Sequence, residues 1–167
     1  MTGLRRAEPA DVPVLIDITR EGFETYRAFA PPGWRVPVLR EEDVVAIDDV
    51  ATWYVADDEG GTPVGHALLI PSERSRDPVG DPALGHLMLL FVRRTHWGTG
   101  VAAALHAAIL AAAPGQGFRE LRLFTPAEQA RARRFYEREG WRAVGRRDDA
   151  ALGFPIVEYR IPCPTPS

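Results

Sequence analysis

The sequence predicts a mixed α/β (α+β) protein of one domain, with a sheet of about six to seven strands flanked by about four helices. Two observations predict this class. Strand-like apolar runs bounded by Gly, Pro and Asp dominate the first half, and strand-like runs then alternate with helix-like runs. The chain has 167 residues, the size of one domain with its own core. We expect residues 1–161 to form that domain and residues 162–167 to be a flexible tail.

Each element has a local signal. The first half predicts a strand at residues 4–7, a helix at 12–29, a short helix at 40–47, and strands at 52–56 and 63–70. The first helix has apolar residues at helical spacing, and the Pro-rich segment 30–37 ends it. The second half predicts strands at residues 84–92, 121–124, 141–146 and 156–161, with helices at 100–113 and 127–139.

Composition excludes several classes of protein. The net charge of −3 argues against a nucleic-acid binder, and no apolar run reaches the roughly 18 residues of a membrane span. The N-terminal residues contain no apolar signal sequence, so we expect a cytoplasmic protein without a membrane partner. The single cysteine, Cys163, excludes an internal disulfide, and the four scattered histidines indicate no metal site.

The most informative segment is LGHLMLLFVRRTHWGTGVAAAL, residues 84–105. It reads as a strand, a short polar loop, Gly98 and Gly100, and then a helix. Backbone N–H groups at a helix N-terminus are unpaired and lie at the positive end of the helix dipole. Glycines let a phosphate approach those groups closely, so the segment predicts a site for a phosphate-bearing ligand.

Two phosphate loops of other classes compete for this segment. A nucleotide-hydrolase loop requires a Lys, and the chain contains none. A dinucleotide fingerprint fits Gly98, Gly100 and Ala103 as G-x-G-x-x-A, although residues 93–97 separate the strand from the first glycine. The dinucleotide interpretation therefore stays open at this point.

The loop resembles the acyl-CoA pyrophosphate loop of the GNAT superfamily of N-acetyltransferases, whose pattern is Gln/Arg-x-x-Gly-x-Gly/Ala. Its six places are occupied by Trp97, Gly98, Thr99, Gly100, Val101 and Ala102. A second family pattern, Asn-x-x-Ala-x-x-hydrophobic-Tyr followed by Gly-aromatic, is matched by Gln129, Ala132, Phe135, Tyr136, Gly140 and Trp141. Trp97 replaces the family Gln or Arg, and Gln129 replaces the family Asn.

The resemblance implies an N-acetyltransferase that moves the acetyl group of acetyl-CoA to a primary amine by direct transfer in a ternary complex, without a metal. The acceptor would be a small molecule or a peptide, and the resemblance to the family also allows a homodimer. Backbone groups of Leu90, Phe91 and Val92 would contact the pantetheine arm, with Gln129 and Ala132 contributing from the later helix. A non-catalytic acyl-CoA-binding or regulatory module of the same fold is the alternative, and another acyl group also stays open.

The resemblance also implies catalytic residues. Tyr136 matches the family tyrosine whose hydroxyl lies near the CoA sulfur, so we expect it to protonate the leaving thiolate. His86 occupies a place where many relatives carry Glu, and an imidazole titrates near neutral pH, so we expect it to act as the base. His66 is a weaker alternative base, and we expect His106 to be structural.

Aromatic and charged residues on the first helix and its Pro-rich connection predict the acceptor pocket. These are Glu24, Tyr26, Arg27, Phe29 and Trp34. A basic cluster on the later helix either forms a solvated face or lies near the CoA phosphates; it consists of Arg131, Arg133, Arg134 and Arg138.

Overall fold

A computed structural model of the protein describes residues 3–41 and 50–165. Seven strands are present in this part of the chain: β1 (Gly3–Arg6), β2 (Thr52–Asp57), β3 (Pro63–Pro71), β4 (Leu84–Val92), β5 (Glu120–Pro126), β6 (Arg142–Asp149) and β7 (Phe154–Pro162). The same residues contain three α-helices: α1 (Val12–Glu24), α2 (Val101–Ala112) and α3 (Ala130–Arg138). None of these helices combines the length and the apolar character needed to cross a bilayer.

The seven strands form one sheet in the order β1-β2-β3-β4-β5-β7-β6. The β4–β5 pair is parallel, and the other neighbouring pairs are antiparallel. This confirms the predicted mixed sheet, with three helices among the described residues instead of about four. The expected helix at residues 12–29 divides, because α1 ends at Glu24 and a 3-10 turn follows at Thr25–Ala28. Of the expected helix at residues 40–47, residues 42–47 lie outside the described part of the chain.

Hydrophobic side chains cover both faces of the sheet, as the alternation along β3 shows. Ala67 and Leu69 pack in the core beneath α2 and α3, whereas Leu68 and Ile70 pack in the core beneath α1. Successive side chains of a strand point to opposite faces, so a strand covered on both sides is apolar at nearly every position. The helices thereby hold β3 and β4 at the centre of the molecule.

The sheet splits between β4 and β5. Their parallel pairing ends at His86 and Arg122, although β4 continues to Val92. The register of β4 against β3 also shifts at Met88, which leaves this residue as an extra one in the ladder. Such a bulge bends a strand and increases its twist. The end of β4 therefore separates from β5, and a gap opens inside the sheet.

Candidate active site

A cavity of about 570 Å³ lies where β4 and β5 separate. Residues 86–92 of β4 form one wall, residues 123–126 of β5 form another, and the first turn of α2 closes one end. The predicted pantetheine contacts Leu90, Phe91 and Val92 all line this cavity. Because β5 no longer pairs with residues 87–92 of β4, the backbone N–H and C=O groups on that side of β4 are available to a ligand.

The glycine loop bends into the start of α2 through two left-handed residues. Gly98 has φ 76°, and Gly100, the N-cap of α2, has φ 88°. No side chain caps this helix, so the N–H groups of its first turn have no partner within the helix. Gly98, Gly100, Val101 and Ala102 line the cavity, whereas Thr99 is exposed and its hydroxyl donates to the carbonyl of His96 at 2.5 Å. The loop thus presents backbone donors to the cavity.

The side chain of Trp97 fixes the loop and supports a cation. Its indole Nε1–H donates to the carbonyl of Val92 at 3.0 Å. The guanidinium carbon of Arg131 lies 3.6 Å from the centroid of the Trp97 ring, and Arg131 also lines the cavity. Partial burial lowers the pKa of Arg131, and no carboxylate of the described chain pairs with it. A positive charge therefore reaches the loop from α3, although position 97 itself is neutral.

The basic cluster on α3 divides into two groups. Arg134 and Arg138 line the cavity together with Arg131. Arg133 instead donates to the hydroxyl of Tyr159 at 2.9 Å and to the carbonyl of Ala127 at 3.1 Å. Arg131, Arg134 and Arg138 can therefore act on an anionic ligand in the cavity, whereas Arg133 has a structural role.

Gln129 joins the start of α3 to the end of α1. Its Nε2 donates to the hydroxyl of Thr25 at 3.1 Å, and that hydroxyl donates to the carbonyl of Gly22 at 2.6 Å. Gln129, Thr25 and Ala132 all line the cavity. The amide that replaces the family Asn thus holds two walls of the cavity together.

Tyr136 reaches the cavity from α3. Its ring is about nine-tenths buried against Phe135, Trp141 and Tyr159, with ring centroids 5.4 to 6.0 Å away. Its hydroxyl makes no hydrogen bond within residues 3–41 and 50–165. Burial raises the pKa of Tyr136 above its ordinary value, so the hydroxyl keeps its proton throughout the neutral range. The protonated hydroxyl, which has no partner among the described residues, can donate a hydrogen bond to a group placed beside it.

His86 lies on the cavity wall, but it is buried and neutral. The Nε–H of Arg122 donates to its Nδ1 at 3.2 Å. Because a guanidinium stays protonated, Nδ1 holds the lone pair and Nε2 carries the proton. Burial, reinforced by the charge of Arg122, lowers the pKa of His86 to about 3. This environment argues against the expected role of His86 as the general base, since neither ring nitrogen readily takes a proton at neutral pH.

His66 and His106 have structural environments. Trp53 Nε1 donates to His66 Nδ1 at 3.0 Å, and His66 Nε2 lies 2.8 Å from the hydroxyl of Thr19. His66 is fully buried outside the cavity, and burial lowers its pKa to about 3, which leaves it unsuited as the alternative base. His106 accepts a hydrogen bond from Trp141 Nε1 at 2.8 Å, as expected of a structural histidine.

The structure changes the expected acceptor pocket. Of its five residues, Tyr26 alone lines the cavity. Glu24 and Arg27 form an exposed ion pair, while Phe29 and Trp34 pack against Phe154. These contacts hold the four side chains outside the cavity, although Tyr26, in the 3-10 turn that follows α1, lines it.

The loop between β3 and β4 also lines the cavity, through Ser75, Arg76 and Asp77. Sequence reasoning missed these residues, because a polar loop without a motif carries no signal of what it faces.

Comparison with known proteins decides the family. The model of the acetyltransferase (GNAT) family matches residues 17–141, which is more than half of the chain. The chain belongs to the GNAT acetyltransferase family. This confirms the predicted enzyme class and leaves the dinucleotide interpretation without support. Proteins of this family use acetyl-CoA. Among curated protein sequences, none matches this chain significantly.

Solved structures agree in fold. A GCN5-related N-acetyltransferase from Kribbella flavida is 21% identical, with a TM-score of 0.74 over 96% of this chain and 97% of that one. The yncA protein from Salmonella typhimurium, solved with its cofactor acetyl-CoA, is 14% identical, with a TM-score of 0.77 over 100% and 96%. The ribosomal-protein-S18-alanine N-acetyltransferase from Escherichia coli is 14% identical, with a TM-score of 0.71 over 100% and 97%. At these identities the likeness concerns the fold alone.

Proposed function

We propose that this GNAT protein transfers the acetyl group of acetyl-CoA directly to a primary amine while both are bound in the cavity. The observation that carries the proposal is the arrangement of the cavity. Uncapped N–H groups of α2 lie at one end, and Tyr136 of α3 lines the same cavity. An anion site and a proton donor in one cavity are what thioester cleavage by an amine requires.

The CoA moiety fits the donors of this cavity. The pyrophosphate would lie on the backbone N–H groups after Gly98 and Gly100, with Arg131 as a nearby cation. The pantetheine arm would follow the free side of β4 along Leu90, Phe91 and Val92. These placements rest on the split of the sheet, which leaves that side of β4 without a strand partner.

The chemistry needs two proton movements. The amine attacks the thioester carbonyl as its neutral form, so the new C–N bond forms and the C–S bond breaks. Tyr136 would give its hydroxyl proton to the departing sulfur, which leaves as the thiol. The proton lost by the amine passes through water in the open cavity and restores the hydroxyl of Tyr136, because His86 is neutral and resists protonation. Holding both reactants together supplies much of the remaining rate enhancement.

A thermal-stability measurement with acetyl-CoA, free CoA and NAD tests the first half of the proposal. A ligand present at about 100 times its Kd stabilises a protein by about 2.7 kcal/mol, which raises Tm measurably. We expect acetyl-CoA and CoA to raise Tm and NAD to have no effect. Release of CoA thiol with a panel of small-molecule and peptide amines then tests turnover. Binding of acetyl-CoA without turnover on any amine would favour a non-catalytic acyl-CoA-binding module.

The remaining parts of the proposal concern the cellular location, the acceptor and the oligomeric state. We propose a cytoplasmic enzyme with a small-molecule or peptide acceptor, and a homodimer by family habit. The Escherichia coli relative, named for the alanine of ribosomal protein S18, supports a protein or peptide acceptor within this fold. Sedimentation of the purified protein with and without acetyl-CoA measures the oligomeric state.

A further inference from the structure

Arg122 is a buried cation without a direct carboxylate partner. Its side chain on β5 is 1% exposed. Its donors go to three neutral acceptors: Nδ1 of His86, the hydroxyl of Ser75 at 2.8 Å and the main-chain carbonyl of Asp77 at 2.8 Å. Removing an ion from water is unfavourable unless an opposite charge compensates it. The charge of Arg122 is therefore only partly offset inside the protein.

The nearest carboxylates are engaged by other arginines. The side chain of Asp77 pairs with Arg147 at 2.7 Å, and that of Asp149 pairs with Arg76 at 2.5 Å. Glu158, on the neighbouring strand β7, pairs with Arg160 at 2.9 Å. Arg160 also binds Glu120 at 2.7 Å, so these carboxylates bond to other arginines and none of them bonds to Arg122 directly.

His86 lies between Arg122 and the cavity. Because Arg122 occupies Nδ1, the proton of the neutral ring lies on Nε2. His86 lines the cavity, and no acceptor within the described residues takes the Nε2–H. Arg76 lines the same wall. The corner thus offers a hydrogen-bond donor in a positive field, which is the pattern of an anion site.

We propose that the acceptor carries an anionic group of the carboxylate class in addition to its amine, and that this group accepts a hydrogen bond from His86 Nε2–H beside Arg122. The inference rests on the proposed acetyl transfer and narrows its acceptor to amino-acid-like amines. Arg122 is a positioning residue, because it fixes the tautomer of His86 and supplies charge without touching the ligand. The amine of such an acceptor is left free to face the thioester.

Matched acceptors test the proposal. Each amino acid of a panel is compared with its carboxamide and with the amine that lacks the carboxyl group, and kcat/KM is measured by CoA thiol release. We expect kcat/KM to be at least about 10-fold higher for the acids, with the KM for acetyl-CoA unchanged. Equal kcat/KM for acid and carboxamide across the panel would overturn the proposal.

Variants of His86 sharpen the test. His86→Gln keeps an N–H donor and should keep the preference for the acids, whereas His86→Leu should lose it. His86→Glu places a carboxylate beside Arg122, cancels its charge and repels an anion, so the preference should reverse toward the decarboxylated amines. Arg146→Gln is the matched control, because this exposed arginine of β6 is outside the cavity and its loss should leave the preference intact. A His86→Glu enzyme that keeps the wild-type preference would contradict the proposal.

A binding measurement separates failure of this inference from failure of the proposed reaction. In the CoA-bound protein, the ¹⁵N–¹H signal of His86 Nε2 is followed during titration with acetate and with acetamide. Acetate should shift the signal and acetamide should not, whether or not any amine of the panel reacts. Identical responses to the two would overturn the anion site. Absence of any Tm increase with acetyl-CoA would instead count against the proposed transferase function.

Discussion

The guanidinium of Arg131 lies over the indole ring of Trp97, with its central carbon 3.6 Å from the ring centroid. The two residues come from different elements, the loop before α2 and the first turn of α3. Stacking on an aromatic ring restricts a flexible arginine and adds about 0.5 to 2 kcal/mol of cation–π attraction. Trp97 thus helps to hold a cation near the uncapped N-terminus of α2, where the family pattern would place a polar or charged side chain at position 97 itself.

Arg131→Ala should therefore weaken acetyl-CoA binding, because it removes a positive charge close to the expected pyrophosphate. We expect Kd to rise about 10-fold, which corresponds to about 1.4 kcal/mol. The effect should be absent with acetyl-pantetheine, which lacks the phosphates. Isothermal titration measures both ligands, and Arg142→Ala, an exposed arginine of β6, is the control. Equal weakening of both ligands by Arg131→Ala would show that the residue acts on folding and not on the phosphates.

Tyr136→Phe should lower kcat by about 100-fold or more, since general acid catalysis contributes about 10² to 10⁴. The ring would still fill its place against Trp141 and Tyr159, so the Kd for CoA should change little. Stopped-flow or steady-state thiol release measures kcat. Tyr54→Phe, a half-buried tyrosine of β2 outside the cavity, is the control. An unchanged kcat in Tyr136→Phe would remove this hydroxyl from the mechanism.

Gly100→Ala should destabilise the loop by about 1 to 2 kcal/mol, because an L-residue other than glycine is strained at φ 88°. Space is available for the methyl group, since nothing lies within 4 Å of the added Cβ. The strain therefore comes from the backbone alone, and it should also raise the Kd for acetyl-CoA. Gly115→Ala adds a Cβ in equally open space without a positive φ, so its free energy of unfolding should be nearly that of the wild type. Equal stability of the two variants would contradict this explanation.

Stability should decrease in mild acid because of two buried histidines. Burial lowers the pKa of both His66 and His86 from 6.5 to about 3 in the folded state. Between those values the unfolded chain binds protons that the folded protein does not, so the free energy of unfolding rises with pH and is lost as pH falls from about 6.5 toward 3. Each residue should account for about 2 kcal/mol between pH 7 and pH 5.

Urea unfolding at pH 7 and at pH 5 measures this difference. His66→Gln should be less stable at both pH values, because it disturbs the contacts with Trp53 and Thr19, yet its difference between the two pH values should be smaller by about 2 kcal/mol. Parallel pH curves for the wild type and the variant would mean that His66 is protonated equally in the folded and unfolded states.

The sequence predicted well what depends on neighbours along the chain. The apolar run Leu84–Val92 is the observed β4, and Gly100 is the observed N-cap of α2, because periodicity and glycine conformation are local properties. Contacts between distant segments could not be predicted from the sequence, because they depend on the tertiary fold. Arg122 meets His86 across 36 positions, and this contact changes the protonation chemistry expected of the histidine. Four of the five expected acceptor residues lie outside the cavity for the same reason, since their contacts, such as those of Phe29 and Trp34 with Phe154, join distant segments.

The split sheet leaves part of β4 without a strand partner in the interior of the protein. Pairing of β4 with β5 stops at His86, so alternate amide groups in the rest of β4 have no neighbouring strand on that side. A linear ligand with its own amide groups, such as the pantetheine arm, could supply the missing partner and act as a short strand. Amide hydrogens of residues 88–92 on the cavity side should then exchange quickly in the free protein and slowly in the acetyl-CoA complex. Binding of acetyl-CoA would in this way make β4, at the centre of the fold, more rigid.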